Sequence, residues 1–184
     1  MNRMSTTACF AALCAIGAAP AVRAEDLAMC LRGWEATQAH DYARAIELYD
    51  RCLRDGRLGA ASLARTYRNI GITYRQAGQP AKAIAAFDKA IALHPEDVAD
   101  DYINRGNARD EAGDFNQALA DYATALQIQP GDGEAYYNRG IAYERHRQLG
   151  AAQAEFVAAY NHGLRTDLLY ERLLAYGLLK GAQQ

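Results

Sequence analysis

Four residues recur in step along this chain, and their spacing limits what it can fold into. Gly71, Ala83, Phe87 and Ala90 return 35 residues on as Gly106, Ala118, Tyr122 and Ala125. They return again 34 residues further as Gly140, Ala152, Phe156 and Ala159, and a fainter set, Gly33, Ala45, Tyr49 and Cys52, lies 38 residues upstream of the first. A period near 34 with small, small, aromatic, small at fixed offsets predicts stacked helical hairpins, each unable to bury its apolar face alone. In a frame of 34 positions starting at Asp26, Ala64, Ala99 and Gly133, positions 8 and 20 lie on the two helices of one antiparallel pair. Both are small, so that the backbones approach closely. Position 24 supplies a large knob, and position 27 is small again and leaves room for the next hairpin. In the second unit Gly78 stands where a first helix ends, Pro80 suits the first turn of the second, and Pro95 stops it.

Helices are predicted over Asp26–Ala39, Tyr42–Asp55, Gly59–Ala77, Pro80–Leu93, Ala99–Ala112, Phe115–Ile128, Gly133–Arg147 and Gly150–His162. Thr166 is then a candidate N-cap for a last helix, Asp167–Lys180. That helix carries more leucine than one face needs. Burial within the chain and a dimer contact are both open uses of the surplus.

The repeated residues resemble the tetratricopeptide repeat, TPR. Tyr67, Ile70, Gly71, Tyr74, Ala83, Phe87, Ala90 and Pro95 stand at its eight signature positions. The unit from Ala99 keeps Tyr102, Gly106, Ala118, Tyr122, Ala125 and Pro130 and departs at Arg105 and Arg109. The unit from Gly133 keeps Tyr136, Gly140, Tyr143, Ala152, Phe156 and Ala159 and departs at Arg139, Arg147 and Leu164. The first unit keeps Gly33, Ala45 and Tyr49 but lacks the aromatic partners at Met29 and Ala36. The resemblance implies an all-α, right-handed superhelical array of about four hairpins (26–59, 64–97, 99–132, 133–166) with a capping helix over 167–180. Arg105 and Arg139 are read as packing their aliphatic stems while the guanidinium reaches water, with ligand binding as the alternative.

Such arrays bind partners and rarely do chemistry. By resemblance, positions 2, 5, 9, 12 and 13 of each first helix face a ligand in a concave groove. This marks Trp34, Arg65, Arg68, Ile72, Arg75, Ile103, Asn107, Tyr137 and Ile141, with Asn69, Asn104 and Asn138 at position 6 as amides able to bond an extended peptide. Arginines gather toward one end of the groove, and Asp100, Asp110, Glu111, Glu134 and Glu144 follow. A two-carboxylate clamp of the chaperone-binding kind is broken: Arg68 and Asn104 fit it, but Ile72, Glu134 and Asn138 do not. The expected partner is a peptide or helix segment of another protein. A structural, self-assembling protein that dimerises through the Leu-rich last helix is the alternative.

Residues 1–24 read as a secretory signal peptide: Arg3, an apolar run from Ala8 to Ala19, and Val22-Arg23-Ala24 before the cut. Removing them takes two of the 20 basic residues and no acid, leaving 18 against 22 and a net charge of −4. That gives no sign of nucleic-acid binding, which needs a clustered basic face. No membrane-spanning segment is expected in the mature chain. The leader and an Ala- and Arg-rich composition suggest the periplasm of a Gram-negative bacterium. Cys30 and Cys52 survive the cut, at position 5 of a first helix and position 27 of a second. In an oxidising compartment they are expected to form a disulfide, the alternative being that Cys52 is only the small residue the repeat wants. No catalytic residue, metal or cofactor is expected. His40, His94, His146 and His162 fall mostly at turns and helix ends, without metal-ligand spacing, and there is no nucleophile elbow or phosphate loop.

Overall fold

The computed structural model describes residues 24–55, 58–93 and 98–179. Along them run α1 (Ala24–Gln38), α2 (Tyr42–Asp55), α3 (Ala60–Gln76), α4 (Pro80–Leu93), α5 (Ala99–Glu111), α6 (Phe115–Ile128), α7 (Gly133–Arg145), α8 (Leu149–Asn161) and α9 (Asp167–Ala175), with no strand among the described residues. All but one of the proposed leader residues, 1–23, lie outside the described residues. No helix among the described residues is long and apolar enough to cross a membrane.

Each hairpin turns in the same way. The residue that leaves the first helix takes a left-handed conformation: His40 (φ 60°), Gly78 (φ 70°), Gly113 (φ 90°) and Arg147 (φ 57°). The next amide then bonds back five residues, as Asp41 N to Ala36 O (2.9 Å), Gln79 N to Tyr74 O (2.9 Å), Asp114 N to Arg109 O (2.8 Å) and Gln148 N to Tyr143 O (2.9 Å). This closes the orphan carbonyls of the first helix and reverses the chain. The same device corrects the expected length of α9. That helix starts on the Thr166 cap, whose hydroxyl accepts from Leu169 N (3.3 Å), but it stops at Ala175 rather than Lys180. Gly177 adopts φ 69° and Leu178 N bonds to Leu173 O at 2.8 Å, ending the helix there.

Within each hairpin the ring at position 24 lies on the glycine at position 8. A Cβ built on Gly33, Gly71, Gly106 or Gly140 would stand 2.8, 2.5, 2.9 or 2.7 Å from the ring of Tyr49, Phe87, Tyr122 or Phe156. The glycine therefore makes room for the partner's ring as well as for its backbone. Those rings and the alanines at positions 20 and 27 are sealed from solvent in units two to four, as are Tyr49, Ala45 and Cys52 in the first. This buried stack, renewed at every hairpin, is the core.

Successive hairpins pack second helix on first helix, α2 on α3, α4 on α5, α6 on α7 and α8 on α9. The first helices also touch one another, α1 with α3, α3 with α5 and α5 with α7, whereas among the described residues no two second helices are in comparable contact. The stack therefore curls with α1, α3, α5 and α7 on its inner wall. Cys30 and Cys52 are paired across the first hairpin with Cα atoms 5.4 Å apart.

Candidate functional site

The inner wall is built from polar ties that run between hairpins. From α1 to α3, Thr37 and Thr73 share a buried hydroxyl bond of 2.8 Å, and Cys30 Sγ lies 3.3 Å from Thr66 Oγ1. From α3 to α5, Arg68 forks onto Asp101 (2.6 and 2.9 Å) and Arg75 reaches Glu111 (2.9 Å). From α5 to α7, Asp110 takes both Arg145 (2.7 Å) and His146 (3.1 Å). From α7 to α9, Arg172 binds Glu144 (3.2 Å) and Tyr137 Oη (3.0 Å), while Tyr176 donates to Glu144 (2.7 Å) and that bond raises the pKa of its phenol. Asp101 and Asp110 are buried, so each needs its arginine.

This changes the expected groove. Arg68 and Arg75 are committed to Asp101 and Glu111 and do not form a free basic end. Ile103 is 6% exposed and belongs to the core around Tyr122, so its placement on a ligand-facing wall is corrected: the side chain packs inward. Asn104 and Asn138 donate Nδ2 to Asp100 O and Glu134 O of their own helices (2.8 Å each), which spends one N–H of each amide and leaves the other, with the carbonyl oxygen, to a ligand. Asn107 Oδ1 accepts from Tyr122 Oη at 2.7 Å. That bond explains a pattern the sequence carries. Where position 24 is Phe87 or Phe156, position 9 is Ile72 or Ile141; where it is Tyr122, position 9 is Asn107; the first unit departs, with Trp34 at position 9 and Tyr49 at position 24. The amide serves the buried phenol, whose pKa burial pushes up, with the nearby Asp110 carboxylate adding to the shift.

The arginines at position 7 differ from both readings of them. Arg105 forks onto Asp121 of α6 (3.0 and 2.7 Å) and also reaches Asp88 (2.6 Å). Burial works against its charge, but those bonds outweigh it and its pKa rises. Arg109 joins Asp121 (2.8 Å) and Arg139 binds Glu155 (2.9 Å). The pairs with Asp121 and Glu155 hold the two helices of one hairpin together, the pair with Asp88 joins α5 to α4 of the preceding hairpin, and no ligand is needed to account for them.

What stays accessible on the inner wall is Trp34, Asn69, Ile72, Tyr137 and Ile141, all half-buried, and the exposed Arg65. Two clefts lie away from these residues. One, of about 530 Å³, sits between the 129–133 loop and the turn after α8; the other, of about 450 Å³, lies at the first hairpin along Arg32, Ala36 and Leu48. Among the described residues no three His, Cys, Asp or Glu side chains gather as a metal site would require.

Two family profiles match the chain, one described as Tetratricopeptide repeat over residues 36–96 and one as TPR repeat over 106–147. A human protein, protein O-mannosyl-transferase TMTC1, is 30% identical over 110 residues, which is 58% of this chain and 12% of that protein's length. The solved structure of YrrB, described as a TPR protein with an unusual peptide-binding site, superposes with a TM-score of 0.65 at 20% identity, over 84% of this chain and 75% of that one. The second TPR domain of human RPAP3, solved in complex with an HSP70 peptide, gives a TM-score of 0.57 at 26% identity over 64% of this chain and 94% of that one. Matching profiles, repeat register and hairpin geometry agree: the chain belongs to the tetratricopeptide repeat family.

Proposed function

We propose that this protein is a non-catalytic adaptor that docks a segment of another protein on its inner wall. The observation that carries this is the pairing of Arg68, Arg75, Arg145 and Arg172 on the wall with Asp101, Glu111, Asp110 and Glu144. With Arg68, Arg75, Asp110, Glu111, Glu144 and Arg145 tied between hairpins, the contact surface left is Trp34, Asn69, Ile72, Tyr137 and Ile141, bordered by the exposed Arg65 and by the amides of Asn104 and Asn138, each with one N–H and its carbonyl oxygen to offer. Such a wall favours a helix or extended peptide presenting apolar anchors over one recognised by a terminal carboxylate, because the clamp-like Arg68 is already forked onto Asp101. The peptides bound by TPR relatives support a docking role.

The test is photo-crosslinking by face. A benzophenone amino acid at Ile141 or Asn69 should capture the same protein in cells, and one at Lys89 on the outer side should not. Replacing Ile72 and Ile141 by serine should then weaken that complex about tenfold or more. Capture from the outer position alone would place the docking surface elsewhere.

We further propose that the chain works in the bacterial periplasm after losing residues 1–24. The pairing of Cys30 with Cys52 at disulfide distance supports an oxidising compartment. Protein taken from cells should resist thiol alkylation until reduced and should begin at Glu25; two freely reactive thiols in a chain that retains its leader would end this reading.

A further inference from the structure

The inner wall spends most of its charges on itself, and those left over lie in one row. Arg65, Asp100 and Glu134 stand at position 2 of α3, α5 and α7, all exposed, and none of them forms an ion pair among the described residues. The row changes sign along the stack, one cation and then two carboxylates. A second row runs beside it. Asn104 and Asn138 stand one turn further along their helices, and their bonds to Asp100 O and Glu134 O hold each amide next to its carboxylate. Ile72 and Ile141, at position 9, follow beyond the amides.

Between the two carboxylates the surface is hollow. The cleft of about 530 Å³ opens where α5 and α7 begin, with Asp100, Asp132, Glu134 and Leu164 in its lining and no lysine or arginine. It is not a seat for an anion at the start of α7. The Asp132 carboxylate already accepts from Glu134 N (2.8 Å) and Ala135 N (3.2 Å), so the amides that a helix N-terminus offers an anion are covered. A cation is the charge this hollow favours, and Leu164 gives the apolar stem of a long basic side chain a surface to lie on.

We propose that the segment docked on the inner wall is extended and dipolar: a lysine or arginine enters the cleft between Asp100 and Glu134, and an acidic side chain meets Arg65. This rests on the inner-wall reading and narrows its occupant. The amides of Asn104 and Asn138 each offer a donor and an acceptor, the complement of an extended peptide unit, whereas a helix keeps its own N–H and C=O groups paired. Packed helices lie about 10 Å apart. Arg65 and the cleft are about one and a half such steps apart, a span that about four or five extended residues cover. Apolar side chains between the acid and the base then fall toward Ile72 and Ile141.

Selection of a displayed library of random twelve-residue peptides on the full protein tests it. Recovered peptides should carry lysine or arginine about four or five residues from an acid, and should lose binding to protein with Ile72→Ser and Ile141→Ser. For a synthetic peptide of the recovered sequence, Asp100→Lys with Glu134→Lys should weaken binding at least about tenfold, and glutamate in place of the peptide's base should restore it on that variant. Asp100→Asn with Glu134→Gln removes the charge and keeps the shape. It should weaken binding about threefold or more, which decides the matter should the lysine pair disturb the fold. Peptides that need Ile72 and Ile141 yet carry no base, or that bind both charge variants as tightly as the parent, overturn this proposal and leave the inner-wall reading standing. No enrichment, or peptides indifferent to the isoleucine and the charge variants alike, overturns both.

Discussion

One methyl group at position 8 is enough to disturb a hairpin. In Gly71→Ala the added carbon would meet Phe87 at 2.5 Å, and that ring is fully buried. Alanine favours the helix by up to about 1 kcal/mol over glycine, but overpacking a sealed site costs about 1–3 kcal/mol. Gly71→Ala should therefore lower stability by about 1–2 kcal/mol in urea unfolding, with Gly106→Ala milder because its ring contact starts at 2.9 Å. The sequence displayed the small residues plainly, yet it could not show that a ring fills the space. Asn107 makes the same point. Its amide looked available to a ligand, and only the fold shows the Tyr122 hydroxyl bonded to it.

Cap residues, hairpin register and most helix ends were legible because each rests on local chemistry: Gly78, Pro80 and Thr166 act within one turn of themselves, although the stop that Gly177 imposes on α9 was passed over. The inner wall was less legible. Position alone marks Arg68 as facing the hollow, but Asp101 lies on another helix, and nothing in the chain's local pattern says that the two meet. For that reason Arg68→Ala is a stability variant before it is a binding variant. It would strand the Asp101 carboxylate, which is 1% exposed, and should cost about 2–3 kcal/mol, below the about 3–5 kcal/mol for breaking a fully buried pair, because Arg68 itself keeps some solvent. Adding Asp101→Ala should recover part of the loss. A double-mutant cycle with additive effects would show that the pair is uncoupled.

At the scale of the whole molecule, the buried stack sets the alkaline limit of the array. Burial pushes the Tyr49 and Tyr122 phenols above their ordinary value, so the folded chain holds protons that the unfolded chain releases. Their contribution is intact below about pH 10 and is lost as pH rises toward the folded pKa. Units two and four use phenylalanine at the same place, so Tyr49→Phe with Tyr122→Phe should fold. The double variant should lose less stability between about pH 8 and pH 11 than the parent, read as the shift in urea midpoint. An equal loss would assign the alkaline limit to other groups.

The ties between Thr37 and Thr73, Arg68 and Asp101, Arg75 and Glu111, Asp110 and Arg145, and Glu144 and Arg172 all join one first helix to the next. They act like tendons on the flexor side of a finger: the spine resists being straightened, and a bound segment that keeps it curled leaves every tendon attached.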